Sequence, residues 1–341
     1  MVGIEDQRRP GGYAVQVLAV AACYYAAARL GLLCQLSVES AVVTPIWPPT
    51  GVAVAALLIL GLRCWPGITI GAFFAVMSLT APRLSVLGTL AAQTGAPVCA
   101  ALLLRRARFH TDLGRLRDGV ALVFLGALTA MLISSTVGVG LLVLMDMLDA
   151  GAFWPVWLAW WVGDAMGVLL VTPLLLMLHG ARWPPALARW KEATALTVVA
   201  CSLVPVAVYS SISLLFLVYP LLIWAAVRFQ LVGSVLCALL ASVLATVAAT
   251  NGVGSFVGLN RIEVMAKLQA FNGAMALTAL LLSALITEQR HTRRSVEKAC
   301  QELVEVLEHL TAGEPPPPPP PRPPRDDVGG ADGRPRPTGP V

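Results

Sequence analysis

The feature that most constrains this chain is an apolar run with a carboxylate sunk in its middle. From about Trp154 to Leu178 the sequence is long enough to cross a bilayer as a helix, and Asp164 lies inside it. At a rise of ~1.5 Å per residue, Asp164 sits about 15 Å deep, near the bilayer centre. An acid at that depth costs roughly 2.5–3.5 kcal/mol on insertion scales. Such a group persists where it faces a bundle interior. It then marks a sensing or proton-linked site, or it is a hydrogen-bonded acid that locks helices together.

Nine more apolar runs accompany this one. The ten cover about residues 13–34, 46–62, 65–81, 84–104, 119–145, 154–178, 192–211, 213–228, 230–250 and 264–287. The second and third are short and read as tilted or partly re-entrant. The seventh and eighth are nearly continuous, with Ser210–Ser211 as the turn. With 57% hydrophobic and 13% charged residues, the composition excludes a soluble domain. The expected fold is therefore all-α, a polytopic transmembrane bundle of eight to ten spans. The segmentation predicts an N-terminal segment over 1–12, a membrane domain over 13–287, a helix over 288–311 and a disordered tail over 312–341.

Arg8–Arg9 before an apolar stretch ending in Ala26–Ala27–Ala28 has the form of a secretory signal. The apolar segment continues to Leu33, so an uncleaved first span is the preferred reading. The net charge of +5 is no nucleic-acid signature, because the basic residues fall in short loops between apolar runs. With the N-terminus cytoplasmic, one side holds Arg8, Arg9, Arg63, Arg105, Arg106, Arg108, Arg115, Arg117, Arg182, Arg189, Lys191, Arg228, Arg290, Arg293, Arg294 and Lys298. The other holds little more than Arg83, Arg261 and Lys267, with Glu39, Asp146, Asp149 and Glu263. The positive-inside rule then puts both termini in the cytoplasm. Trp47, Trp65, Trp154, Trp183, Trp190 and Trp224 lie near span ends, where an indole suits the interface.

Several polar groups lie well inside the runs. Gln93 shares the depth of Asp164, and a Gln93–Asp164 hydrogen bond is the expected pairing. Arg29 lies where it can snorkel or reach an acid. Tyr24 and Tyr25, Ser134–Ser135–Thr136, and Lys267, Gln269 and Asn272 complete the set. Facing one another, they build a polar pocket that opens outward. Otherwise each hydroxyl bonds its own helix carbonyls. Gly163 and Gly167 have GxxxG spacing, which reads as close helix packing ahead of a dimer interface.

No residues are arranged for catalysis. His110, His179, His291 and His309 fall in loops or the terminal helix, outside any zinc helix or phosphoacceptor box. Seven scattered cysteines form no metal-ligand spacing. The glycines of Asn251–Phe256 lie between apolar spans, where a phosphate cradle has no strand–loop–helix to sit on. Neither cofactor nor metal is expected. Beyond the membrane, Val296, Leu303 and Leu310, with Ala299 and Val306 between, repeat at a/d spacing over about two heptads. Fused to a span, this helix is able to carry a rotation or a shift, or it is a solvated end that frays. A run of prolines from Pro315 to Pro321 follows, and it builds no core.

Three blocks together resemble the first type of membrane-associated sensor domain, the bacterial MASE family. One is Ile46-Trp-Pro-Pro-Thr-Gly-Val-Ala, continuing through Leu60-Gly61, Arg63 and Trp65-Pro66-Gly67 to Gly71. The second is Trp160-Trp-x-Gly-Asp164-x-x-Gly167-Val, with Pro173-Leu-Leu-Leu. The third is Tyr219-Pro-Leu-Leu-Ile-Trp-Ala-Ala-x-Arg228-Phe. The resemblance covers about residues 13–290. It implies a sensory input module that signals through its last helix to a diguanylate cyclase, a phosphodiesterase or a histidine kinase. From these blocks and the buried polar set, Asp164, Trp160, Trp161, Gln93, Trp47, Arg228 and Asn272 are the candidate ligand-binding or signalling residues. Pro48, Pro49, Gly51, Gly163, Gly167 and Pro173 are the candidate structural ones. The chain departs from the family at Gly254–Ser255–Phe256, where a proline is expected, and in lacking an output domain. The expected partners are thus the lipid bilayer, a separate kinase or cyclase, and a second copy in a homodimer. The alternatives are a proton-coupled secondary transporter working through Asp164 and a truncated signalling protein without output.

Overall fold

The computed structural model describes residues 10–33, 35–38, 41–79, 84–180, 190–210, 212 and 214–312. Expectations that rest on Arg8, Arg9, Cys34, Glu39, Arg83, Arg182, Trp183, Arg189, Ser211 and the proline-rich tail from residue 313 onward lie outside these residues, as do the side chains of His291, His309 and Leu310.

Apolar length makes the helices, and proline and glycine divide them. α1 spans Pro10–Leu32, and a small antiparallel hairpin follows, β1 (Leu36–Val38) with β2 (Ala41–Val43), Leu36 pairing with Val43. The all-helical expectation omits this hairpin, whose strands have three residues each and no periodicity to betray them. Pro48 and Pro49 open α2 (Pro48–Ile59) with φ already helical and no N–H left to go unpaired. Gly61, at φ 94°, stops it. Trp65–Pro66 opens α3 (Trp65–Met77) in the same way.

α4 (Leu84–Arg106) leads to a single long run made of α5 (Leu116–Ala121), a π-helical segment (Leu122–Thr129) and α6 (Met131–Leu144). α7 (Phe153–Gly180), α8 (Trp190–Tyr209), α9 (Val218–Thr250) and α10 (Arg261–Ala312) complete the described chain. Among the described residues, seven helical stretches are long and apolar enough to cross a membrane.

Eight of the ten runs fall in these seven stretches, and the other two, the second and third, are short, as the sequence suggested. At 12 and 13 residues, α2 and α3 are shorter apolar helices. They reach only about 18–20 Å of the roughly 30 Å hydrocarbon core. The eighth and ninth runs are joined within α9, which breaks at Gln230 (φ 54°, ψ −139°). There the chain doubles back. A Cβ on Gly233 would stand 3.1 Å from the carbonyl of Ala225, eight residues earlier, where an unbroken helix would put about 12 Å.

The compact unit ends at Arg290, and a second begins at His291. In the first, α2 packs on α7, α1 on α3, α4 on α6, and α8 on α9. The largest apolar cluster joins α4 and the π segment to α7, α8, α9 and α10. A second gathers around α1, α2 and α3, and a third around β2, α6 and the start of α7. In the second unit, Val296, Leu303 and Val306 are exposed.

The α2–α7 contact is backbone on backbone. A Cβ on Gly167 would strike the Trp47 carbonyl and the Thr50 hydroxyl, one on Gly163 the Thr44 carbonyl, and one on Gly51 the Gly167 carbonyl. The glycine spacing thus serves packing within the chain. Hydrogen bonds fasten the contact. Trp47 N–H donates to Gly163 O at 2.9 Å, Thr50 Oγ1 to Asp164 O at 3.0 Å, and Thr172 Oγ1 to Gly51 O at 3.1 Å. Thr172 precedes Pro173, which lacks the N–H that would bond the Leu169 carbonyl.

Candidate functional site

Between the second and third clusters lies a cavity of about 360 Å³. Its apolar wall includes Leu32, Val43, Val76, Leu141 and Leu142, and its polar groups are Thr44, Ser85, Thr89, Gln93 and Asp164, with the indoles of Trp47 and Trp160. These residues cluster toward the end of α1, β2, the end of α3, the start of α4 and the end of α6. Arg63, Arg105 and Arg117 lie at the opposite ends of those same segments. The cavity therefore belongs to the end of the bundle away from the arginines.

Asp164 is 1% exposed, and neither carboxylate oxygen has a hydrogen-bond partner. The Ser134 hydroxyl of α6 stands beside it, at the edge of hydrogen-bond reach, and is the one neutral donor turned toward the acid among the described residues. A buried polar atom without a partner carries its full desolvation cost, so a native one calls for an explanation. The local cause is the α2–α7 contact. Thr50 donates to the main-chain oxygens of Trp47 and Asp164, at 2.7 and 3.0 Å, and so is spent on the backbone.

The expected Gln93–Asp164 bond is not formed, and this is a correction. Gln93 Oε1 accepts from the Tyr24 hydroxyl at 3.3 Å. Gly71 explains the choice: a Cβ there would stand 2.7 Å from Tyr24 Cβ, so its absence lets α1 settle on α3 and brings the phenol to Gln93. Trp47 also turns inward beside Tyr24, with its buried indole N–H directed at the Tyr24 oxygen. Trp65, Trp154, Trp190 and Trp224 stay exposed on the outside.

The structure brings Asp164, Gln93, Trp47 and Trp160 to one cavity and leaves three candidates elsewhere. Trp160 lies along Gly138 of α6, whose missing Cβ makes room for the ring. Its neighbour Trp161 points away, stacks on Trp157 at 5.6 Å, and donates to the Leu128 carbonyl at 2.8 Å. That carbonyl lies in the π segment, where the Ala130 N–H reaches back five residues to Leu125 instead of four. Arg228 forms a two-pronged ion pair with Glu192, joining α9 to α8. Asn272 is fully buried on α10 with both amide atoms unpartnered, outside the cavity lining. Depth along a span is readable from sequence, but the facing direction of a nearly uniform apolar helix is not.

The rest of the polar set is distributed. Arg29 is exposed. Lys267 donates to the Ser255 carbonyl at 2.6 Å and lies 5.5 Å from the Phe256 ring centre. Gln269 donates to the Ala159 carbonyl of α7 at 3.1 Å. Ser135 bonds its own helix, and Thr136 accepts the Trp157 indole N–H. Sequence reasoning missed Thr44, Ser85 and Thr89 in the lining and Thr50 as the clip across α2–α7. Only Thr50 carries a signal, standing directly after two prolines at a helix start.

A family model, MASE1, matches residues 16–290. The chain belongs to the MASE1 family. MASE1 is a membrane-associated sensory input domain, so the fold described here is that of a multi-pass membrane sensor module. No curated protein and no solved structure matches the chain. The MASE1 match runs through the helices that line the cavity and stops at Arg290, where the compact unit also stops.

Proposed function

We propose that this MASE1 domain receives its signal in the Asp164 cavity and passes it to the end of α10. The output is a cyclic-di-GMP enzyme or a histidine kinase on the cytoplasmic side of a bacterial inner membrane. The carrying observation is the buried carboxylate of Asp164, which meets no charged partner among the described residues, lines a cavity and sits on the helix that also holds α10. Gln269 of α10 bonds Ala159, the residue before Trp160. Movement of Trp160 or Asp164 against an occupant is thereby felt by α10.

At the arginine end, Glu288 of α10 accepts the Leu116 N–H at 2.9 Å, and Arg290 donates to the Val227 carbonyl. Both contacts change if α10 turns or slides. The arginine-rich loops support a cytoplasmic position for that end, and the cavity then faces the opposite side. The a/d positions of the terminal helix suit a two-stranded contact with a second copy or with the output protein.

The test is a cellular one. Cyclic-di-GMP level and kinase phosphorylation are compared in cells carrying the wild-type chain, Asp164→Asn and Gln269→Ala. Both variants are expected to lose the wild-type response. If both signal like the wild type, the reading fails. Proton uptake into vesicles that requires Asp164 would replace it with a transporter.

A further inference from the structure

We infer that the cavity takes an organic ammonium ion, a small cation with an apolar body. The inference rests on the reading of this cavity as the sensory site and adds the chemical class of its ligand. Three observations converge on that class.

The first is charge. Among the described residues lining the cavity, Asp164 is the one acidic or basic side chain. It is 1% exposed, no charged side chain among the described residues meets it, and its one neighbouring donor is the neutral Ser134 hydroxyl. A buried carboxylate without a charged partner is stabilised most by a cation bearing N–H groups, because charge and hydrogen bonds are satisfied together. An anionic ligand would meet a like charge in a medium of low dielectric, which is strongly unfavourable.

The second is the wall. Trp47 and Trp160 flank the acid on the same cavity. Indole rings attract ammonium groups through the ring quadrupole, most strongly where water is excluded. Trp161, the other indole of the pair, is engaged with Leu128 and Trp157 and takes no part.

The third is the remaining lining. Leucines and valines supply half of it, and the amide of Gln93 is already engaged by Tyr24. A strongly hydrated inorganic cation would lose its water against this wall without enough oxygens to replace it. An ion with an apolar body gains from the same wall. At about 360 Å³ the cavity lies at the small end of ligand pockets, which suits an amine of modest size.

The test uses the full chain in lipid nanodiscs and isothermal titration calorimetry with three probes of similar shape. They are 2-phenylethylammonium, the neutral 2-phenylethanol and the anionic 3-phenylpropionate. The ammonium ion is expected to bind at least tenfold more tightly than the alcohol, with the anion weakest. Asp164→Asn is expected to bring the ammonium ion and the alcohol to equal affinity, whereas Asp164→Glu keeps the preference. Trp160→Leu is expected to weaken the ammonium ion more than the alcohol.

A wild-type chain that binds the alcohol or the anion as tightly as the ammonium ion overturns the inference, as does a preference that survives Asp164→Asn. The wild-type comparison decides even if a variant fails to fold. Signalling that depends on Asp164 without any cation preference would overturn the ligand class and leave the sensory reading standing. A cation preference without dependence of signalling on Asp164 would do the reverse.

Discussion

Asp118 and Asp164 are buried alike, each about 1% exposed, yet the chain uses them differently. Asp118 stands at the start of α5, at the arginine end. Its Oδ1 accepts the His110 N–H at 3.2 Å, with His110 Nδ1 at 3.7 Å, and the loop between α4 and α5 is closed over it. Beside it, Arg117 donates to the Ala107 carbonyl at 2.7 Å. Asp118 is a staple. Asp164, in the middle of α7, staples nothing: its main-chain oxygen holds Thr50 while its carboxylate meets no charged partner among the described residues. The pair teaches that burial alone does not make an acid functional. Asp118 Oδ2 is itself buried without a partner, so the informative sign is a buried acid beside open space, which Asp164 has and Asp118 lacks.

The largest expected effect tests the α2–α7 contact. Gly167→Val would drive a side chain into the Trp47 carbonyl and separate α2 from α7. A loss on the order of 3 kcal/mol or more is expected, seen as a collapse of the thermal midpoint in detergent. Gly140→Val, with open space around the same atom, should leave the midpoint where it is. Equal damage from both would mean that the α2–α7 approach is not what glycine is needed for.

The two acids come next. Asp118→Ala removes the acceptor of the His110 N–H and is expected to cost about 1–3 kcal/mol. Asp164→Ala removes a desolvated group whose one neighbouring donor is the neutral Ser134 hydroxyl, so it should cost less than Asp118→Ala in the same melt. The opposite order would make Asp164 the lock between helices and Asp118 the dispensable acid.

The adjacent indoles sharpen the contrast further. Trp161→Phe forfeits the bond to Leu128 and should cost about 1 kcal/mol, with ligand binding retained. Trp160→Phe keeps the apolar contact with Gly138, so its melt should match the wild type while binding of the ammonium probe falls. The smallest effect is expected at Arg228. Its pair with Glu192 is solvent-exposed on both sides, and Arg228→Gln should leave the thermal midpoint unchanged at physiological salt. A clear drop there would show that the joint between α8 and α9 bears on the whole bundle.

Much of this molecule is legible as a string of residues. The helical runs, the reversal near residue 229 and the shortness of α2 and α3 follow from apolar length and from where proline and glycine interrupt it. The closeness of α2 and α7 is foreshadowed by Gly51, Gly163 and Gly167, because a backbone without a Cβ is useful mainly where another backbone arrives. The partners of the buried polar groups were less accessible. Gln93 and Asp164 share a depth, but Tyr24 captures the amide once α1 has settled on Gly71. The π segment is invisible in composition, since a register change of one residue alters no apolar pattern, yet it meets Trp161 at Leu128.

The sequence by itself determined that this chain lives in a membrane as a helical bundle with one acid at mid-depth. Hydropathy and chain length depend only on local residues, and water's absence from the lipid core leaves the backbone few alternatives to helix. The tertiary structure alone decided which side chains meet that acid. Helices that are apolar on every face carry no directional instruction of their own. Rotation about each axis was chosen by glycine contacts and by hydrogen bonds between helices, and that choice placed Trp47 and Trp160 at the cavity and sent Trp161, Arg228 and Asn272 elsewhere.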